Sequence, residues 1–179
     1  MLSKEDTGLI LIDIQGKLAR IVSESDLLIK HCQALILGAQ ALDMPILWLE
    51  QNPEKLGETV EELRELLPNV KRIKKYTFDA CVESNFMRAI QESGCQSWLV
   101  AGIEAHICVY QTASHLKLIG YDVHLVVDCI SSRTQFNKEL AINKLIQQDV
   151  AITGVEMCLY ELVQDCRVRE FSTILKLIK

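Results

Sequence analysis

Cys108 stands in the stretch AGIEAHICVYQTASHLKLIG, residues 101–120, where an apolar run ends at Gly102 and the cysteine opens a helical pattern six residues later. A cysteine near a helix start meets free backbone N–H groups, which favour a thiolate and lower its pKa. The same donors suit an oxyanion developing on an attacked carbonyl. Asp13 closes another apolar run, TGLILIDI at residues 7–14, and a carboxylate there is placed to take a thiol proton. The two residues describe a nucleophile and its base, to which a lysine would add charge balance. Each also has an ordinary role: free cysteine packs as a small apolar residue, and aspartate at a strand end caps or turns the chain.

The elements that must position these residues alternate along the chain. TGLILIDI (7–14), PILWLE (45–50), VKRIKK (70–75), SWLVAGI (97–103), YDVHLVVD (121–128) and VAIT (150–153) read as strands. Helical patterns cover residues 25–42, 57–67, 80–93, 107–119, 137–148 and 156–165. Apolar strands separated by helices predict an α/β fold, a three-layer sandwich with a mostly parallel sheet of about six strands and helices on both faces. The pattern is read as one domain over residues 1–179. Ligands of such sheets gather at the carboxyl ends of strands. Asp13, Gln15, Glu50, Gln51, Glu104 and Asp128 all fall there.

Composition narrows the function classes. With 49% hydrophobic and 24% charged residues the chain has the make-up of a soluble globular protein. A net charge of −5 argues against a nucleic-acid partner, which needs a basic face to displace counterions. No apolar run reaches membrane-spanning length, and the acidic start MLSKEDTG is unlike a signal peptide, so a cytoplasmic location without membrane partners is expected. The seven cysteines are odd in number and show neither CxxC nor CxH spacing. They read as free thiols rather than a disulfide framework or a zinc site.

Four ordered segments, LIDIQ, LEQNPEKLGETVEEL, KKYTFDA and GIEAHICVYQTA, resemble the isochorismatase-like cysteine hydrolase family. The last carries a Gly-x-x-x-x-x-Cys-Val box followed by Thr-Ala, and the second resembles a non-nicotinamidase subgroup with a Glu-Gln-x-Pro-x-x-Leu-Gly run. The resemblance implies a catalytic triad of Asp13, Lys75 and Cys108: base, charge stabiliser and nucleophile. It also implies a cis peptide at Ile103–Glu104 and an oxyanion hole from the backbone N–H groups of Glu104 and Cys108. Lys74 is adjacent to Lys75, and a one-residue slip of the strand would exchange their faces; the register that aligns KKYTFDA selects Lys75, although Asp79 replaces the usual serine. Homo-oligomers, dimeric or higher, are common in the family.

Gln15, Gln51, Phe78 and His106 are candidate pocket residues, each with an ordinary alternative as a turn, loop or packing residue. Cys81 also sits at a helix start, but without the strand and carboxylate that attend Cys108. Residues 45–75 contain no histidine, which excludes the metal site of the family's nicotinamidases; no metal and no cofactor is expected. Retention of Cys108 points away from vinyl-ether hydrolysis. The reading is a hydrolase of a small amide or related C–N bond, working through a thioester-type intermediate on a small-molecule substrate. The alternative is a pseudoenzyme or redox-sensing thiol protein on the same fold. Apolar residues 171, 174, 175 and 178 predict a last helix that docks on its own domain or joins a subunit contact.

Overall fold

The computed structural model describes residues Met1–Lys179. Its strands are β1 (Thr7–Ile12), β2 (Ile46–Gln51), β3 (Arg72–Lys75), β4 (Ser97–Gly102), β5 (Asp122–Ile130) and β6 (Ala151–Thr153). They form one six-stranded sheet in the order β3-β2-β1-β4-β5-β6, and every neighbouring pair is parallel. The chain runs outward from β1 to β3, then returns to β4 on the other flank of β1. Connections leaving β1 and β4 therefore diverge, which opens a crevice at their carboxyl ends. Asp13 follows one of these strands, and the segment carrying Cys108 follows the other.

Side-chain alternation divides the core between the two faces of the sheet. Leu9 and Leu11 face an apolar layer with Leu35 and Ile36 of α2 (Ser25–Ala41) and Leu159 of α8 (Val155–Val163). Ile10, Ile12, Trp98 and Val100 face the other layer, with Phe86 of α5 (Ser84–Ser93), Leu116 of α6 (Tyr110–Leu118) and Leu145 of α7 (Gln135–Ile146). Burying each such large side chain stabilises the fold by about 1.5–3 kcal/mol. The three-layer expectation is met. Gly102 ends β4 at φ +134, and a Cβ there would lie 2.1 Å from the Ile12 carbonyl oxygen. No side chain fits where β4 passes so close to β1.

Several boundaries differ from the sequence reading. A short helix, α1 (Gly16–Ile21), follows β1 unannounced. The expected helix over residues 57–67 shrinks to α4 (Glu61–Arg64), preceded by a single turn, α3 (Pro53–Leu56), with proline in its first turn. Beyond Arg64 the chain continues in tighter turns, Leu66 N–H to Leu63 O and Leu67 N–H to Arg64 O. The helix expected over 80–93 splits into a 3₁₀ turn (Ala80–Val82) and α5, because Asp79 accepts the Cys81 N–H at 2.9 Å and Glu83 is extended. β5 continues to Ile130, so Cys129 lies inside the strand rather than after it. The last helix, α9 (Phe171–Ile178), buries Ile174 in the α2/α8 layer, and Phe171 meets Tyr160 of α8 edge-on at 5.9 Å. Its apolar stripe is spent on the chain's own core.

Candidate functional site

Asp13 leaves β1 in the left-handed region, φ +54. That conformation is sparsely populated by non-glycine residues and persists only where the surroundings enforce it. Here the carboxylate turns toward β3 and meets the Lys75 ammonium at 2.7 Å. Lys75 is 0% exposed. Its three donors are taken by Asp13 Oδ2, by Gln51 Oε1 at 2.6 Å and by the Thr77 carbonyl at 3.2 Å.

The register of β3 decides between the two lysines. Gln51 stands opposite Lys75, and Glu50 opposite Lys74. Ile73 and Lys75 therefore face inward, while Lys74 points outward to an ion pair with Glu54 at 2.8 Å. Such an exposed pair contributes little to stability.

Cys108 arrives from the other strand. β4 ends at Gly102, the Ile103–Glu104 peptide is cis as the resemblance implied, and a π-helical turn at Ala105–Val109 leads into α6. The Cys108 thiol comes close enough to Asp13 and Lys75 for both charges to act on its ionisation. It keeps 7% exposure beside Ala105 and Val109, and the other two members of the group are more deeply buried. The site is thus nearly closed, with Cys108 its least buried member.

Electrostatics here reverse one expectation. A helix start was expected to lower the thiol pKa; instead it is pushed up to about 12, by burial first and then by the Asp13 charge, with Lys75 opposing. Asp13 is also raised, by burial above all, and Lys75 pulls it back. Both directions have one meaning. Burial disfavours charge on the sulfur and on the carboxyl alike, so the resting thiol keeps its proton and Asp13 is made a stronger base for it than a free carboxylate.

Around this group the other sequence candidates divide. Gln15 spends its amide on backbone, donating to Gln51 O at 3.1 Å and Gly57 O at 2.6 Å and accepting from Gln51 N–H at 2.7 Å. Gln51 donates to Tyr76 O at 2.7 Å while accepting from Lys75. Gln51 holds the lysine, and Gln15 holds the backbone of Gln51. Phe78 is 55% exposed on the loop after β3, which the Ala80 N–H ties to Thr112 Oγ1 of α6 at 3.1 Å. His106 Nδ1 lies 3.0 Å from Ser132 Oγ. Glu104 accepts from the Arg133 N–H and Nε, both at 3.0 Å, so its side chain clamps the turn that carries its own N–H.

Two residues were under-read. Glu50 is a buried carboxylate that accepts from the Thr59 N–H at 2.7 Å and Oγ1 at 2.8 Å and pairs with Arg72 at 3.2 Å. It locks β2 to β3 and to the following loop; a glutamate inside the apolar run PILWLE was the available signal. Cys81 does have a carboxylate beside it, Asp79, contrary to the sequence reading. Burial and that charge push its thiol well up, with no cation opposing.

Comparison with known proteins follows this geometry. A protein-family profile described as "Isochorismatase domain" matches residues 7–157. The chain is 33% identical over 177 residues to the secreted isochorismatase effector Isc1 of Phytophthora sojae, covering 96% of this chain and 83% of that one. A solved structure of the MAR1 ribonuclease from Caenorhabditis elegans superposes with a TM-score of 0.93 at 31% identity, covering 99% of this chain and 91% of that one. The YcaC gene product of Escherichia coli, an octameric hydrolase of unknown specificity, gives a TM-score of 0.93 at 22% identity over 98% and 89% of the two chains, a likeness of fold alone. No helix is long and apolar enough to cross a membrane.

Proposed function

From the premise that this chain belongs to the isochorismatase family, a hydrolase superfamily, we propose that it hydrolyses a small amide or related C–N bond through a covalent intermediate on Cys108. The observation that carries this reading is the meeting of thiol, carboxylate and ammonium at the carboxyl ends of β1, β3 and β4. Cys108 Sγ attacks the carbonyl carbon as its proton passes to Asp13. The oxygen gains the negative charge and is held by the N–H groups of Glu104 and Cys108. Ile103 and Ala105 N–H groups donate to Ile12 O and Ser131 O, whereas the Glu104 N–H between them has no acceptor within the chain, which supports this role. Asp13 then gives the proton to the departing nitrogen. Water attacks the thioester, Asp13 takes its proton, and the thiol re-forms as the acid leaves. Lys75 holds the developing charges throughout, the preorganised stabilisation that low-dielectric sites do well.

The thiol's elevated pKa separates this reading from a redox sensor. A sensor depends on a standing thiolate at neutral pH, whereas a base-assisted nucleophile keeps its proton until attack. The ribonuclease description belongs to the worm protein. A net charge of −5 and a nearly closed site favour a small substrate here over a polynucleotide. Seven free thiols support a reducing, cytoplasmic setting, although one relative is described as secreted.

The test is mass spectrometry after incubation with pooled small amides. An acyl-sized adduct is expected on Cys108, decaying with time and absent in Cys108→Ala. An adduct-free protein whose Cys108 forms disulfides under peroxide would end the hydrolase reading. A thermal-shift screen on Cys108→Ser would then rank substrates, since binders raise the melting point with occupancy. We also propose a homo-oligomer, supported by exposed apolar side chains such as Leu118, Phe136 and Met157. Light scattering should return a multiple of 20.3 kDa; the monomer mass would refute it.

A further inference from the structure

Asp79, Cys81 and His115 each place a ligand-capable atom within 4.8 Å of the other two. We infer that these three residues form a binding site for one zinc-class transition-metal ion, separate from the Asp13–Lys75–Cys108 group. Thiolate, imidazole and carboxylate are the side-chain donors that zinc takes. A set containing sulfur and imidazole selects such ions over magnesium or calcium. The charges also close: one thiolate, one carboxylate and a neutral imidazole balance a divalent cation.

The donors come from two elements whose spacing is fixed. Asp79 and Cys81 lie on the turn after β3, and Ala80 between them is tied by its N–H to Thr112 Oγ1 at 3.1 Å. Cys81 Sγ faces the Thr112 carbonyl at 3.8 Å. His115 lies three residues further along the same helix, α6. Asp79 bridges the group, with Oδ1 accepting the Cys81 N–H at 2.9 Å and Oδ2 meeting His115 Nδ1 at 2.6 Å. Bonds of about 2.0–2.3 Å in a tetrahedron set ligand atoms roughly 3.3–3.8 Å apart. The His115–Asp79 contact must therefore open by roughly 0.7 Å from 2.6 Å, and no pair within the 4.8 Å limit need close by more than about 1.5 Å, which side-chain rotation supplies.

Binding the ion releases the thiol proton, because a coordinating cysteine is deprotonated. Asp79 and His115 also help wall a surface cavity of about 490 Å³ with Tyr110, Gln111 and Ser114, which gives an ion access from solvent. The histidine lies beyond Cys108 on α6, not among residues 45–75, so this is not the nicotinamidase arrangement.

Titration of the reduced 179-residue chain with Co²⁺ tests the site. One equivalent is expected to bind with a thiolate-to-cobalt band in the near ultraviolet and the visible bands of a four-coordinate ion. Both signals should vanish in Cys81→Ser and in His115→Ala and persist in Cys108→Ala. Zinc should raise the melting temperature of the wild type and leave the two ligand variants unmoved. If His115→Ala fails to fold, His115→Gln replaces it at a side chain that is 36% exposed. A wild type without the thiolate band, or a band that survives Cys81→Ser, overturns the inference. So does a band lost only in Cys108→Ala.

Discussion

Asp13→Asn is expected to lower turnover of a Cys108-acylating amide on the order of 10³-fold, the scale of removing a positioned general base. The same substitution should make the Cys108 thiol more acidic. Asp13 is the second-largest influence raising that thiol to about 12, after burial, while Lys75 pulls it down and remains in the variant. Activity and thiolate content thus move in opposite directions. Alkylation of Cys108 followed peptide by peptide against pH gives the acidity, and the decay of the acyl adduct gives the turnover. A variant whose thiol becomes less acidic, or which turns over at the wild-type rate, removes Asp13 from its proposed role. In the wild type the acid limb of the rate should follow Asp13, above the ordinary 3.8, and no limb should fall near 9.0, where an unassisted thiol ionises.

Lys75→Met is expected to destabilise the protein by about 3–5 kcal/mol at neutral pH, because it leaves Asp13 buried without its partner. At this chain length that is a melting-temperature loss of about 6–20 °C. The sign with pH is fixed by the direction of the Asp13 shift. Removing the ammonium raises its folded-state pKa further, so the folded variant holds a proton that the unfolded chain has released. Stability then falls as pH climbs from about 3.9, the unfolded carboxylate value, through the raised folded value, and levels off above it. The penalty should be small at pH 4 and full at pH 8. Adding Asp13→Asn should restore most of the loss, since the methionine then faces no buried charge. A pH-independent penalty, or one the double variant fails to relieve, would mean that the lysine acts through packing alone.

Much of this site was legible in the sequence because strand ends are legible. Uninterrupted runs such as GLILI and WLVAG bury on both faces of a parallel sheet, and the residues that follow them fall at its carboxyl edge. Asp13 and Cys108 emerge that way. Lys75 does not, since VKRIKK alternates only weakly and its inward face is settled by pairing with β2, a tertiary fact. The helix over 57–67 was overread because Leu63, Leu66 and Leu67 keep helical spacing, yet the segment is pinned at Thr59 and Val60 and turns too tightly to continue. The thiol's acidity was misjudged for a different reason. Backbone N–H groups at a helix start are visible in the chain order, whereas burial and the approach of a carboxylate from another strand are not.

β3 is the rim of the sheet, four residues long and bonded to β2 alone. Asp13 and the Cys108 turn are moored at the middle, but the ammonium that joins them hangs from the edge. Peripheral strands open at lower free energy than central ones. The proposed site should therefore disassemble by peeling, with amide exchange over residues 72–75 outrunning that of β1 and β4, and with heat abolishing the proposed hydrolysis before the fold melts.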